Sequence, residues 1–270
     1  MASRRKYRKQ YLRWHATYEK RATKLLKRTF KNWVNAIDFE HIEKENLESK
    51  IGYAVDLQSL TDTYIDIYKK IGFVHGQRVG KAINLELKAF SLGAFLTLFE
   101  RAVSNYLFEF GMNRIVSIRD TFFDEMIEMF RTRLEQEKDI RTVAREIKKL
   151  VNKPDFYRWQ AERIARTEST GASNYAALVA GDASGFQMAK EWISATDKRT
   201  RRKPQNEYDH VEMDGKKITR YEKFNFNNGK DFLDYPGDPT GEAGNVINCR
   251  CAISVTPIRD SNGNLIPINR

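Results

Sequence analysis

The first 31 residues of the chain combine a helical repeat of apolar side chains with its whole excess of positive charge. They hold twelve basic residues against a single acidic one, Glu19, while the remainder of the chain is balanced, so the net charge of +11 arises here. The apolar residues, spaced mostly by three or four, are Tyr7, Tyr11, Tyr18, Ala22, Leu25, Leu26, Phe30, Trp33 and Ile37. The pattern predicts a long amphipathic helix with a basic outer face.

This basic face predicts non-specific, salt-dependent binding to double-stranded DNA, because clustered Lys and Arg neutralise phosphates without reading the bases. The residues predicted to bind DNA are Arg4, Arg5, Lys6, Arg8, Lys9, Arg13, Lys20, Arg21, Lys24, Lys27, Arg28 and Lys31. Two other interpretations stay open: a solvated helix face that keeps the chain soluble, or contact with an anionic membrane surface. Because apolar stripes begin again at Leu57, we expect the rest of the chain to fold without this helix.

Composition excludes several classes of protein. At 41% hydrophobic and 31% charged residues, the chain is expected to bury a core and form two modest domains. Its longest uncharged apolar run, between Lys88 and Glu100, is shorter than the ~20 residues of a membrane helix, so no membrane span is expected. The amino terminus lacks the features of a signal peptide, which places synthesis in the cytoplasm. Cys249 and Cys251 are too close together for a disulfide scaffold.

The pattern of apolar residues predicts an α+β protein, with an extended, mainly helical N-terminal region followed by a compact α+β C-terminal domain with short strands. The predicted divisions are a basic helical arm at 1–55, a helical region at 56–153 and the C-terminal domain at 154–270. Predicted helices run from a cap at Asp56 to a stop at Gly72, over Phe90–Phe110 and Ile115–Leu134, after a cap at Asp139, and over Asp155–Ala180. Predicted strands are Glu191–Ala195, Lys223–Phe226 and Cys251–Ile258, followed by a hairpin over Ile258–Ile268.

Six short motifs follow one another between about Arg163 and Cys251. They are Arg163-Ile164-Ala165-Arg166-Thr167-Glu168 with Asn174; Lys190-x-Trp192; Asp197-x-Arg199-Thr200-Arg201; His210-x-x-Met213-Asp214-Gly215; Tyr235-Pro236-Gly237-Asp238-Pro239; and Asn248-Cys249-Arg250-Cys251. In order and approximate spacing they resemble the Mu F-like family of phage head-morphogenesis proteins. The resemblance covers about a third of the chain. The stretch from Arg202 to Asp209 is longer than in the family and predicts a local loop.

The resemblance implies a minor capsid protein of a tailed phage and not an enzyme. Such a protein would associate with the portal protein, with capsid or scaffolding proteins and with the packaged DNA, and would aid head assembly and DNA packaging or ejection. It would be assembled in the host cytoplasm and would lie in the virion, inside the capsid near the portal vertex.

The polar residues of these motifs are expected to be structural. Carboxylates beside guanidinium groups form bidentate pairs that fix orientation, which suits a domain with few strands. The residues assigned this role are Arg166, Glu168, Asn174, Asp197, Arg199, Arg201, Asp214 and Asn248.

A candidate zinc site consists of His210, Cys249 and Cys251, because imidazole and thiolate are the ligands that zinc prefers. The candidates for a fourth ligand are Asp238, Asp197 and Asp214. The alternative is a pair of thiols that are packed in the core or face a partner. Structural zinc is therefore the one cofactor that the sequence suggests.

The same residues allow a second hypothesis, a metal-dependent, nuclease-like enzyme that acts on DNA. His210 would be the general base, Asp214 would orient it and Asn248 would be a polar donor. Nothing in the sequence demands this chemistry, because the C-terminal domain has no second histidine and no Gly-x-Ser-x-Gly motif. We therefore predict no catalytic residue.

Overall fold

The structure, a computed structural model, describes residues 3–87, 90–136 and 138–268. The described helices are α1 (Arg4–Ala36), α2 (Leu47–Ala54), α3 (Leu57–Ile67), α4 (Phe73–Leu87), α5 (Leu92–Tyr106), α6 (Met112–Leu134), α7 (Ile140–Val151), α8 (Arg158–Asp182) and α9 (Ala243–Val246). The strands are β1 (Met188–Ile193), β2 (Lys217–Thr219), β3 (Phe224–Phe226), β4 (Asp231–Leu233) and β5 (Ala252–Pro257). A mainly helical N-terminal half followed by short antiparallel strands confirms the predicted α+β class. Within the described residues, no helix is long and apolar enough to cross a membrane.

Two predicted helix caps are confirmed. The Asp56 carboxylate accepts a hydrogen bond from the backbone N–H of Ser59 at 2.7 Å at the start of α3. The Asp139 carboxylate accepts one from Thr142 at 3.0 Å at the start of α7. In both cases the short acidic side chain satisfies a backbone donor that the first helical turn leaves without a partner.

The predicted helix stop at Gly72 is wrong. A π-helical turn, Tyr68–Gly72, joins α3 to α4 without a break. This glycine is one of three, spaced four residues apart, that each pack against a phenylalanine ring. A Cβ atom at any of the three positions would collide with that ring. The pairs are Gly72 with Phe99, Gly76 with Phe95 and Gly80 with Phe90. The four-residue glycine spacing therefore serves close helix packing and not chain termination.

The strands form two small antiparallel sheets. In the three-stranded sheet β1 lies between β2 and β5, and Lys190 of β1 is opposite both Ile218 and Val255. The second sheet pairs β3 with β4. The predicted hairpin is confirmed by a bridge between Arg259 and Leu265.

Two compact units can be described separately. One comprises Met1–Ala22, Ile67–Tyr106 and Arg163–Arg270, and the other comprises Thr23–Asp66 and Leu107–Glu162. The sequential division at 55/56 and 153/154 stays a prediction. The second unit has an aromatic core, in which the ring of Phe122 lies 5.6 Å from Phe30, 5.0 Å from Trp33 and 4.9 Å from Tyr157.

The first part of α1 belongs to the core of the first unit. Tyr11 is buried in a cluster with Ile193 of β1 and Ala252 of β5, and Tyr7 packs against this cluster. The Tyr7 hydroxyl donates to the backbone carbonyl of Ile253 at 2.9 Å. The apolar stripe of α1 is therefore part of the core next to β1 and β5, and these contacts weigh against the expectation that the rest of the chain folds without this helix.

Candidate metal centre

Three side chains that are distant in sequence converge in the first unit. His210 lies in the loop between β1 and β2, while Cys249 and Cys251 lie in the segment that leads into β5. All three are at most 2% exposed, and their ligand atoms lie within 4.8 Å of one another. Among the described residues, no further His, Cys, Asp or Glu belongs to this group.

A buried hydrogen-bond chain determines which nitrogen of His210 faces the sulfurs. The carboxylate of Asp231 can only accept, so the amide nitrogen of Asn245, 2.8 Å away, must be the donor. The Oδ1 atom of Asn245 then points to Nε2 of His210 at 2.6 Å, which makes Nε2 the protonated nitrogen. The lone pair of the imidazole is therefore on Nδ1, the atom nearest the two cysteines.

The distances within the group fit a tetrahedral ion. Nδ1 of His210 lies 3.5 Å from the sulfur of Cys249 and 3.5 Å from that of Cys251. With zinc–sulfur bonds of about 2.3 Å and zinc–nitrogen bonds of about 2.0 Å, a tetrahedral angle places sulfur and nitrogen about 3.5 Å apart. The separations between the imidazole nitrogen and the two sulfurs are therefore those of a tetrahedral site.

The surroundings of the two thiols shift their pKa values in opposite directions. Burial alone would raise the pKa of Cys249, but its hydrogen bond with Cys251 and the nearby Arg201 guanidinium hold that pKa well below the usual value. Burial raises the pKa of Cys251, and the Cys249 sulfur raises it further. The backbone N–H of Cys251 donates to the Cys249 sulfur at 3.3 Å, as expected where a thiolate is to be stabilised.

Aromatic rings enclose the imidazole. The rings of Trp192 and His210 meet edge to face with centroids 5.3 Å apart, and Phe226 lies 5.4 Å from the histidine. This packing excludes water from one side of the group and fixes the plane of the ring. The site is therefore preorganised by the core of the domain.

A small cavity of about 10 Å³ is lined by all three residues of the group, and it is large enough for one water molecule. The charged side chains around it are Asp197, Arg199, Arg201 and Arg250. The group is thus bordered on one side by aromatic core and on another by a polar cavity.

The structure does not bring Asp238 into the group. Its carboxylate accepts hydrogen bonds from the backbone N–H of Asp234 at 2.6 Å and of Thr240 at 2.9 Å, and from the Thr240 hydroxyl. These contacts hold the turn of the Tyr235–Pro239 motif. Asp238 is therefore a turn-stabilising residue in this arrangement, and not a neighbour of the cysteines.

Asp214 is not the orienting partner of His210. It accepts hydrogen bonds from the guanidinium of Arg8 and from the backbone N–H of Ser194, the latter at 2.8 Å. The orienting partner is Asn245. The nuclease-like arrangement of His210 with Asp214 is thus not formed.

The remaining motif residues tie α8 to the segments around the site. Arg166 of α8 pairs with Glu19 at 2.6 Å and donates to Asn248 at 2.8 Å. Asn174 donates to the carbonyl of Cys251 at 3.0 Å and accepts from the N–H of Ile253 at 2.9 Å. These contacts fix the cysteine segment on the helix.

Two expected carboxylate pairs have different outcomes. Asp197 accepts hydrogen bonds from the backbone N–H of Arg199 at 3.0 Å and from its guanidinium at 2.9 Å. Glu168 instead accepts from the hydroxyls of Tyr68 at 2.9 Å and Tyr106 at 3.2 Å. It is 3% exposed, so α8 carries a buried carboxylate among tyrosines.

The basic residues of α1 divide into two groups. Arg4 pairs with Glu191, and Arg8 donates to Asp214 and to the Ser194 carbonyl, so these two face the sheet of their own unit. The exposed members are Arg5, Lys6, Lys9, Arg13, Lys20, Arg21, Lys24, Arg28 and Lys31, with Lys27 half-buried. Most of the residues predicted to bind DNA are therefore on the outer surface of the helix.

Residues 129–254 match the family model described as Phage Mu protein F like protein. The match covers somewhat less than half of the chain. It includes α8, the strands β1 to β4 and the three residues of the candidate metal centre. The chain thus carries a Phage Mu protein F-like domain, which confirms the resemblance drawn from the six motifs. The family is one of phage head-morphogenesis and minor capsid proteins, structural and not enzymatic. No curated protein and no solved structure matches the chain.

Sequence reasoning missed Asn245, Asp231 and Glu19. Asn245 and Asp231 stand in stretches rich in Gly, Asn and Asp, where such residues usually form turns, and no pattern separates them from their neighbours. The sequence did contain an indication that Glu19 has a specific partner. It is the single acidic residue of the first 31, which include twelve basic residues. It pairs with Arg166 and lies 3.8 Å from Arg250.

Proposed function

We propose that this protein is a low-copy minor head protein of a tailed phage. The observation that carries the proposal is the Mu F-like domain at residues 129–254. Further support comes from its motif residues, since Arg166, Asn174, His210, Asn248 and Cys251 are joined by hydrogen bonds or lie around one site. A domain stiffened in this way suits a component that bears mechanical load during head assembly and DNA packaging.

The location we propose is the interior of the capsid near the portal vertex. There the protein would contact the portal protein and capsid or scaffolding proteins. The family of the domain supports capsid partners. Assembly would take place in the host cytoplasm.

The proposed DNA contact is the outer face of α1. At 3.6 residues per turn, eight basic residues fall within about 60° of one direction along the helix. They are Lys6, Lys9, Arg13, Lys20, Lys24, Lys27, Arg28 and Lys31. Tyr11 and Tyr18 lie on the opposite side of the helix and are buried.

The proposed role of the metal is structural. His210 through Nδ1, Cys249 and Cys251 would bind zinc, and the ion would join the loop after β1 to the segment before β5. The observation that supports zinc binding is that Nδ1 lies 3.5 Å from each of the two sulfurs.

The function can be tested by affinity purification of the tagged protein from infected cells before heads are complete. We expect the portal protein and capsid or scaffolding proteins to co-purify, and a tag on an unrelated phage protein serves as the control. Recovery of neither class of partner would contradict the proposal.

A DNA assay separates the structural role from an enzymatic one. Plasmid DNA incubated with the protein and magnesium or zinc should be shifted in a gel but remain intact. Cleavage that is abolished by His210→Ala would contradict the structural role.

A further inference from the structure

The candidate metal centre has three protein ligands and a cavity beside it. Among the described residues, His210, Cys249 and Cys251 are the whole group, although a tetrahedral ion needs a fourth ligand. All three residues line the cavity of about 10 Å³. An ion held by these residues would therefore lie next to that cavity.

The charge around the cavity is positive. Arg199, Arg201 and Arg250 line it against a single carboxylate, Asp197. An ion of charge +2 bound by two thiolates and a neutral imidazole adds no net charge. The carboxylate of Glu19, which lies 3.8 Å from Arg250, is shared with Arg166. An anion is therefore the ligand that this environment favours.

The side chains that line the cavity have more N–H donors than they use in hydrogen bonds within the protein. Arg199 donates through Nε and Nη2 to Asp197, and Arg201 donates through Nη2 to the carbonyl of Ile247. Each guanidinium has five N–H donors, so several remain on each side chain. Asn248 accepts from Arg166 through Oδ1, which leaves its Nδ2 as a further donor.

We propose that the fourth position takes one oxygen of a phosphate-class oxyanion, whose other oxygens are bound by Arg199, Arg201 and Arg250. This inference rests on the proposed metal centre. The cavity admits one oxygen-sized ligand, so the remainder of the anion lies at the mouth among the guanidinium groups. Phosphate fits better than a carboxylate because, with one oxygen on the ion, it still has three acceptors for guanidinium donors. The source is either a free phosphate or a phosphate of DNA.

The test uses full-length protein loaded with Co²⁺, whose visible absorption bands report the fourth ligand. Inorganic phosphate is titrated at constant ionic strength, and we expect a saturable shift of these bands. Arg199→Gln and Arg201→Gln should each weaken phosphate binding at least fivefold. Lys198→Gln is the matched control, because this exposed residue lies in the same loop but does not line the cavity. Its phosphate affinity should remain within twofold of wild type.

Short DNA duplexes with and without 5′-phosphates identify the source. A response to both duplexes assigns the site to backbone phosphates, a response to the phosphorylated duplex alone assigns it to terminal monoesters, and a response to inorganic phosphate alone assigns it to the free anion. Three results would overturn the inference. The bands do not respond to phosphate, or they respond in the two arginine variants as they do in wild type, or they respond to acetate as strongly as to phosphate. Failure to bind Co²⁺ or Zn²⁺ at all would overturn the metal centre together with this inference, whereas bound metal with unresponsive bands would overturn the inference alone.

Discussion

Asn245 decides which nitrogen of His210 can bind a metal ion. It is fully buried and donates to Asp231, which also accepts from the backbone N–H of Glu242 at 3.1 Å. A 180° rotation of the Asn245 amide would break its hydrogen bond to the Asp231 carboxylate. The amide therefore holds the imidazole in one tautomer.

Asn245→Ala should therefore weaken zinc binding by about 10–100-fold. Competition against a chromophoric chelator measures the affinity, and far-ultraviolet circular dichroism checks the fold. Asn262→Ala is the control, since Asn262 is exposed in the last turn. Equal zinc affinity in the Asn245 variant and the wild type would show that Asn245 does not position the histidine.

His75 is a buried histidine without a role in the metal centre. Its ring lies 5.5 Å from Tyr11, 5.8 Å from Trp14 and 5.9 Å from Tyr18. Burial, together with the positive charge of Arg78, lowers the pKa of His75 to about 3. The folded protein thus holds this imidazole neutral, whereas the unfolded chain protonates it near pH 6.5.

The sign of the resulting pH dependence follows from the lowered pKa. The contribution of His75 to stability is complete above pH 6.5 and is lost as the pH falls toward 3. Between pH 7.5 and 5 this loss is roughly 2 kcal/mol, at 1.36 kcal/mol per pH unit below 6.5. His75→Phe should therefore lose about 2 kcal/mol less than wild type over this range in urea unfolding followed by tryptophan fluorescence. Asn262→Ala, which removes no ionisable group from an exposed site, should behave as wild type. Equal losses in the His75 variant and wild type would contradict the account.

At the scale of elements, the two sides of α1 differ in their surroundings. Its apolar side is part of the core, with Tyr11 and Tyr18 each 1% exposed. Deletion of the first 31 residues would remove both and expose the core residues that pack against them. A test of the basic side must therefore leave the backbone in place and change the charge alone.

Replacing five outer basic residues of α1 with glutamine should flatten the salt dependence of DNA binding. The residues are Arg13, Lys20, Lys24, Arg28 and Lys31. Each lost phosphate contact reduces the slope of log K against log salt by about 0.9, so a decrease of about 4 is expected if most of them bind phosphates. Glutamine keeps the helix, because its helix propensity is close to that of lysine. Fluorescence anisotropy with a labelled duplex at several salt concentrations gives the slope.

A control with the same change in net charge uses five exposed lysines outside α1. These are Lys198, Lys203, Lys216, Lys217 and Lys223. Its slope should remain close to that of wild type. If both sets lower the slope equally, the basic face of α1 has no special part in DNA binding.

The sequence was sufficient for the features that repeat or that obey local rules. The spacing from Tyr7 to Ile37 predicted α1, and the caps at Asp56 and Asp139 followed from local hydrogen bonding. Gly72 was misread because a glycine that ends a helix and one that admits a phenylalanine ring look alike without knowledge of the partner. The partner of that glycine, Phe99, lies on another helix.

The candidate site was predicted only in part, for a related reason. His210, Cys249 and Cys251 are rare residue types in this chain, so their chemistry alone singled them out. Identifying Asn245 as the partner of His210, and excluding Asp238 from the group, required knowing which loop folds back on the histidine. Turn residues carry no periodicity, so the sequence held no information on that contact.

At the scale of the whole molecule, the metal should act as a fold-stabilising link in the domain. Metal binding free energy adds to folding free energy where the site forms only in the folded state. At free zinc about 1,000-fold above its Kd the expected stabilisation is about 4 kcal/mol. Zinc should therefore raise the Tm of chelator-treated protein, and Cys251→Ser should abolish the rise. The control is Ser261→Ala in the exposed last turn. An unchanged Tm, with no stoichiometric metal in fresh protein, would contradict a structural metal.

The most direct test of the central claim is the copy number of this protein in purified, DNA-filled particles of the phage that encodes it. Quantitative mass spectrometry with labelled standard peptides gives this number relative to the portal protein, after nuclease treatment and a high-salt wash have removed external material. The account predicts a few copies per particle, comparable with the portal protein and far below the major capsid protein. Absence of the protein from washed particles that retain their portal would contradict it.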